Sequence, residues 1–139
     1  MTRRILLCDD EPHIVRAAEF KFKRGGYEVV CASDGEEGWD VLRTFRPDII
    51  ITDYQMPRMD GLELIARIRS HAETADIPII MLTAKGFELS HDATYGRFAV
   101  IAVLPKPFSP RELFQRVEEI LNEIENSRRA EKPAEAETI

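Results

Sequence analysis

This sequence predicts an α/β fold, doubly wound around a five-stranded parallel sheet with helices on both faces, and three observations carry that prediction. Short aliphatic runs recur along the chain, as at 5–7, 49–51 and 79–82, and such unbroken runs mark strands buried on both faces. Between them lie segments whose apolar residues return with helical period. Turn formers, such as Gly25-Gly26 and Asp60-Gly61, separate the two kinds of segment. Strands alternating with helices build a parallel sheet, and right-handed crossovers cover both of its faces.

The first strand spans 4–8 and runs into Asp9-Asp10-Glu11. Pro12 suits the first turn of a helix, where its missing N–H costs nothing. Ile14, Val15, Ala18 and Phe22 give that helix its period, and Gly25-Gly26 end it. The second strand covers 27–32, with Glu28 suggesting an edge position. Ser33 or Asp34 caps a second helix carrying Trp39, Leu42 and Phe45, which stops before Pro47.

The third strand, Ile49-Ile50-Ile51-Thr52, ends at the carboxylate of Asp53, and Pro57 and Asp60-Gly61 then turn the chain. A third helix covers 61–70, with Leu62, Ile65 and Ile68 on one side. The fourth strand, 77–82, ends at Thr83-Ala84-Lys85. A weaker helix with few large apolar residues is expected over 90–98. The fifth strand, 100–104, precedes Pro105-Lys106-Pro107-Phe108. Ser109 caps a last helix with Pro110 at its first position, and its period is the clearest in the chain: Leu113, Val117, Ile120, Leu121, Ile124. From 127 to 139 the apolar period is gone, so the sequence divides into one domain over 1–126 and a charged tail expected to be disordered. The strand order for five such units is the flavodoxin-like 2-1-3-4-5, whose ligand crevice lies outside the carboxyl ends of the strands.

The bulk numbers narrow the function. The chain has 139 residues, 44% of them apolar, which suffices for one domain with its own core. A net charge of −6 argues against a general nucleic-acid binder, which carries a basic stripe. No apolar run reaches membrane-spanning length, and the stretch behind Arg3-Arg4 is too short for a signal-peptide core, so the cytoplasm is the expected location. Cys8 and Cys31 each sit in an apolar strand, lack zinc-site spacing and read as small buried hydrophobes. His13, His71 and His91 are scattered among helical segments and read as surface residues.

A lone Asp at a strand end is most simply a loop cap, and Asp53 alone would carry no more than that. The other strand ends change the reading. Asp9 and Asp10 follow the first strand, Asp53 the third, Thr83 the fourth and Lys106 the fifth. These four strands are contiguous in the expected order, whereas the edge strand ends only on Ala32 and Ser33. Three carboxylates in one cleft repel, at about 3 kcal/mol per pair for a separation of about 5 Å and an effective dielectric near 20. A cation is therefore implied. Oxygen ligands without histidine or thiolate favour a hard ion, Mg²⁺ above others. Mg²⁺, a lysine and a threonine hydroxyl around a carboxylate make a receptor for a phosphoryl group, and the carboxylate can itself be the nucleophile. Asp53, central by strand position, is the expected nucleophile, with Asp9 and Asp10 as metal binders.

The segments I-L-L-C-D-D-E-P (5–12), I-T-D-Y-Q-M-P-R-M-D-G (51–61), I-I-M-L-T-A (79–84) and L-P-K-P-F (104–108) resemble the receiver domain of bacterial two-component response regulators. The resemblance covers about 4–125. It implies phosphoryl transfer from a histidine kinase or histidine phosphotransfer protein to Asp53, Mg²⁺ held by Asp10, Asp53 and the backbone carbonyl of Gln55, and Asp9 acting largely through water. It further implies that Thr83 follows the phosphoryl group, and that Gln55 and Lys85 flank it and influence its lifetime. Such a chain is not a free-standing enzyme, though it takes part in its own phosphorylation and dephosphorylation. With no effector domain after residue 125, the expected receiver stands alone and its output is a partner protein. A phosphorylation-dependent homodimer is the other association the resemblance leaves open. Two positions depart from the family pattern: Val103 replaces the aromatic residue common three places before the lysine, and Phe98-Ala99-Val100-Ile101 replaces a Gly-Ala-Asp type turn. Both bear on the signalling surface.

Two other readings compete. A small Mg²⁺-dependent phosphatase or phosphotransferase with an aspartate nucleophile would usually carry a second carboxylate two residues later, where this chain has Gln55. A phosphorylation-independent binding module would not need the full set Asp9, Asp10, Asp53, Thr83 and Lys106.

Overall fold

Alternation along each aliphatic strand sends side chains to both faces of the sheet, and both faces are covered. The structure, a computed structural model, describes residues 2–84 and 99–131. Its elements are β1 (Arg4–Cys8), α1 (Pro12–Arg24), β2 (Glu28–Ala32), α2 (Gly35–Val41), β3 (Ile49–Asp53), α3 (Gly61–Ser70), β4 (Ile79–Thr83), β5 (Ala102–Pro105) and α4 (Pro110–Glu131). The strands form one parallel sheet in the order β2-β1-β3-β4-β5. This is the doubly wound order expected from the sequence.

On one face Ile5, Leu7, Ile49, Ile51, Ile80 and Leu82 pack with Phe22 of α1 and with Leu113 and Val117 of α4. On the other face Leu6, Cys8, Ile50, Ile79 and Met81 pack with Leu64, Ile65 and Ile68 of α3. All of β3 and β4 is buried, as continuous aliphatic runs in the middle of a parallel sheet require. Each large side chain buried this way contributes about 1.5–3 kcal/mol relative to exposure.

Caps fix where the helices begin. Asp34 accepts from the Glu37 N–H at 2.8 Å and caps α2. Asp60 and Glu63 form a reciprocal capping box on α3. Ser109 accepts from the Glu112 N–H at 3.0 Å at the start of the last helix. Gly26 turns the chain out of α1 with φ +91°, a conformation that side chains disfavour.

Several boundaries differ from the sequence reading. β4 starts at Ile79 rather than at 77, because Pro78 has no N–H for the ladder, although its carbonyl accepts from the Ile50 N–H at 2.9 Å. α2 ends at Val41, and the path to the buried Phe45 is made of short turns. Helix α4 continues to Glu131, beyond the expected end of the domain at 126. Residues 127–131 have no apolar face, but propagation of an existing helix is cheap and Arg128 and Arg129 complement the dipole of its last turn. The helix expected over 90–98 lies outside the described residues, as do Lys85, His91 and 132–139.

Cys8 is buried and Cys31 half-buried, and burial raises both thiols, Cys31 to about 12. His13 and His71 are exposed. Among the described residues no helix is long and apolar enough to cross a membrane.

Candidate functional site

Parallel pairing brings all the carboxyl ends of the strands to one rim. Cys8 lies opposite Thr52, Asp53 opposite Leu82, and Thr83 opposite Pro105. The residues that follow or end these strands therefore meet: Asp9, Asp53 and Thr83 are buried, and Lys106 is largely so. The Lys106 N–H donates to the Thr83 carbonyl at 2.9 Å, which carries the β4–β5 ladder one step past the strand and fixes the lysine backbone at the rim. The peptide between Lys106 and Pro107 is cis. Gly61 leaves the backbone of β3 room to end there: a Cβ on it would stand 2.2 Å from the Asp53 carbonyl oxygen.

Charge is concentrated at this rim. Asp9, Asp10 and Asp53 each offer a carboxylate oxygen, and these atoms lie within 4.8 Å of one another. Lys106 Nζ stands 3.0 Å from Asp9 Oδ2, 2.8 Å from Glu11 Oε1 and 3.4 Å from Asp53 Oδ1. Asp9 Oδ1 accepts from the Glu11 N–H at 3.0 Å. Asp9 Oδ2 is fully buried and receives no directed hydrogen bond, so its contact with Lys106 is an ion pair alone.

The titration of Asp53 registers this crowding. Burial, and then the neighbouring Asp9, push its carboxyl up to about 6 against the opposing pull of Lys106. Burial alone would depress Lys106, but hydrogen bonding to Glu11 and the pull of Asp9 outweigh it and hold the ammonium firmly protonated. The same hydrogen bond holds Glu11 below the usual carboxylate range.

Above these groups is an open cleft of about 260 Å³, lined among others by Asp10, Asp53, Gln55, Thr83 and Lys106. Gln55 is exposed at its edge and Asp10 is exposed as well. The residues fit a hard divalent cation. The donors are oxygens, three carboxylates are crowded together, and one buried carboxylate oxygen is without a hydrogen bond. The cleft is also large enough for a phosphoryl group.

The structure thus brings together Asp9, Asp10, Asp53, Thr83, Lys106 and the Gln55 segment. Val103 lies apart from them, half-buried on β5 opposite Met81 and packed with the cluster around α3. Two residues escaped the sequence reading. Glu11 is the nearest partner of Lys106, and its only signal was its place directly after Asp9-Asp10. Arg58, in the turn after Asp53 with φ +65°, reaches back to the buried Asp34, with its Nε at 2.9 Å. That pair, together with a Gly35 N–H bond to the Met59 carbonyl at 2.9 Å, ties the turn bearing Gln55 to the start of α2.

An acidic and lysine-bearing rim on a sheet of this order defines a class of phospho-accepting α/β signalling modules. The chain belongs to the response regulator receiver domain family, which matches residues 5–118. It is 40% identical over 126 residues to the alkaline phosphatase synthesis transcriptional regulatory protein PhoP of Bacillus subtilis, covering 90% of this chain and 51% of that protein. The chain therefore spans about half the length of that relative. Among solved structures it is similar to the chemotaxis response regulator CheY4 of Vibrio cholerae, with a TM-score of 0.78 and 29% identity over 86% of this chain and 99% of that one. It is also similar to the response regulator protein TrrA of Thermotoga maritima in complex with Mg²⁺ and BeF, with a TM-score of 0.73 and 32% identity over 85% and 98% of the two chains. Receiver domains take phosphoryl groups from histidine kinases, bind Mg²⁺ at an Asp cluster and act on downstream targets; they are signalling modules rather than classical enzymes.

Proposed function

We propose that this chain accepts a phosphoryl group on Asp53 from a histidine kinase or histidine phosphotransfer protein, and signals to a partner protein through a surface biased by that group. The observation that carries the reading is the Lys106 ammonium held 3.4 Å from a buried Asp53 carboxylate, at the floor of a cleft ringed by further acidic groups. In this reading one Asp53 oxygen forms the new P–O bond as the P–N bond of the donor breaks, its electron pair leaving with the imidazole. Lys106 pairs with a phosphoryl oxygen, and the Thr83 hydroxyl donates to another. Asp10, Asp53 and the Gln55 carbonyl would hold Mg²⁺, with Asp9 acting through water, and such an ion would supply positive charge against the phosphoryl oxygens. Lys85, like Gln55, flanks the group and tunes its lifetime.

The relative's role in transcriptional regulation belongs to a protein of which this chain spans half. A protein partner remains the output proposed for the chain itself, in the cytoplasm where histidine kinases present their phosphoryl groups.

The test is direct. With acetyl phosphate and Mg²⁺, intact mass rises by one phosphoryl group in the wild type and does not rise in Asp53→Asn. Stoichiometric labelling that persists in the variant overturns the assignment.

A further inference from the structure

Glu11 occupies the position before α1 where a side chain normally accepts from the first N–H groups of the helix, yet it makes no such cap. Its carboxylate turns to Lys106 instead, at 2.8 Å, closer than either Asp9 or Asp53. Pro12, first in α1, has no N–H to offer. Glu11 is half-exposed, whereas Asp9 beside it is buried. Of the three carboxylates around Lys106, Glu11 is thus the one that can leave without uncovering a buried charge.

From this arrangement we infer that Glu11 is a positioning residue that restrains Lys106 before phosphorylation and competes with the incoming phosphoryl group for its ammonium. The inference rests on the proposed phospho-acceptor reading. The ammonium is set among three carboxylates, hydrogen-bonded to Glu11 and in ion-pair contact with Asp9 and Asp53. A phosphoryl oxygen on Asp53 gains Lys106 only by displacing one of them. Asp9 is held by the Glu11 N–H and by burial, and Asp53 carries the phosphoryl group itself. Glu11 is left as the partner that yields. The exchange replaces one charge-assisted contact with another, so the Glu11 contact sets how strongly the phosphoryl state is favoured.

The probe is beryllofluoride at saturating Mg²⁺, with the bound fraction read from the ¹⁹F resonance in the presence of this 139-residue chain. Glu11→Gln removes the charge that competes for Lys106 and should bind beryllofluoride about 1.5-fold to fivefold more tightly, the range expected for one partly exposed ion pair. Glu11→Asp keeps the charge but is one methylene shorter, and should also bind more tightly than wild type. In a Lys106→Ala background the Glu11→Gln change should have no effect, a coupling that a general change in stability would not produce. Unchanged or weaker binding by Glu11→Gln overturns the inference. So does an Asp variant that behaves as wild type, since charge without contact would then suffice, or a Gln effect that survives in the Lys106→Ala background. Failure of wild-type protein to bind beryllofluoride at all would instead remove the underlying phospho-acceptor reading.

Discussion

The two ends of the sheet solve the same problem in opposite ways. At the amino-terminal end, Arg3 is surrounded by Glu118 Oε2 at 2.9 Å, Asn122 Oδ1 at 2.7 Å, Glu125 Oε1 at 3.2 Å and the Tyr27 hydroxyl at 3.3 Å. Two carboxylates and two neutral groups share one guanidinium, all but the buried Tyr27 partly exposed to water, and Glu118 also accepts from Tyr27. At the carboxyl end a single ammonium is set against Asp9, Glu11 and Asp53, with Asp10 close by, and the innermost carboxylates are out of water. One end carries only a single excess charge, open to water, and ties α4 to the start of β1. The other holds excess negative charge where desolvation makes it costly. Stored repulsion of that kind makes a site responsive, because an added cation or a change in charge on Asp53 shifts a balance that is already strained.

The largest effect that would sharpen this contrast is removal of the strain itself. Asp53 titrates near 6 in the folded protein against an ordinary 3.8. Between those values the native state holds a proton that the unfolded chain has lost, so metal-free stability falls as pH rises from about 4 to about 6, and the full penalty is present above that. The shift corresponds to about 3 kcal/mol. Without metal, Asp53→Asn should therefore be more stable than wild type by about 2–3 kcal/mol at pH 7.5, with the difference vanishing toward pH 4. Denaturant melts at the two pH values measure it. Equal stabilities at pH 7.5 would mean that the acidic rim is as relaxed as the Arg3 end.

A divalent cation should relieve the same strain with a somewhat smaller effect. Mg²⁺ at ten to a hundred times its dissociation constant stabilises the folded state by about 1.4–2.7 kcal/mol, which raises the melting temperature by several degrees. Asp10→Asn should lose most of that gain while its metal-free form matches or exceeds wild type, since one repelling charge is gone. A wild-type melting curve indifferent to millimolar Mg²⁺ would break the comparison from the metal side.

The two ends were not equally legible in the sequence. Parallel βα topology sends every strand's carboxyl end to one rim, so Asp9, Asp10, Asp53, Thr83 and Lys106 could be gathered from strand boundaries alone. Each lies at the end of its strand or within two residues of it, and local pattern locates strands. Glu11 and Arg58 stand next to these positions but act through partners 95 and 24 residues away. Where a long side chain in a turn points is decided by tertiary approach, which periodicity does not encode. The Arg3 cluster was invisible for the same reason: its partners lie 24 to 122 residues along the chain. Apolar period did not show that α4 runs to Glu131, because it reports which residues pack, whereas the length of a helix depends also on propagation.

The smallest effects belong to the Arg3 end. Glu118, Asn122 and Glu125 are spaced by four and three residues and so lie along one face of α4, all reaching the same guanidinium. Arg3→Ala should cost about 1–2 kcal/mol, the range for a partly exposed network rather than for separate surface pairs, and it should leave acetyl phosphate labelling of Asp53 unchanged. Residues 127–130 of α4 are exposed and bury no apolar face. Truncation after Asn126 keeps Glu125 on Arg3 and should shift stability by less than about 0.5 kcal/mol. Chemical denaturation of both variants, with labelling measured in parallel, separates two possibilities. If truncation cost as much as losing Arg3, the end of α4 would be docked rather than merely propagated. If Arg3→Ala slowed labelling, strain would pass along the strands from one end to the other, and the two ends would have to be treated as one coupled system.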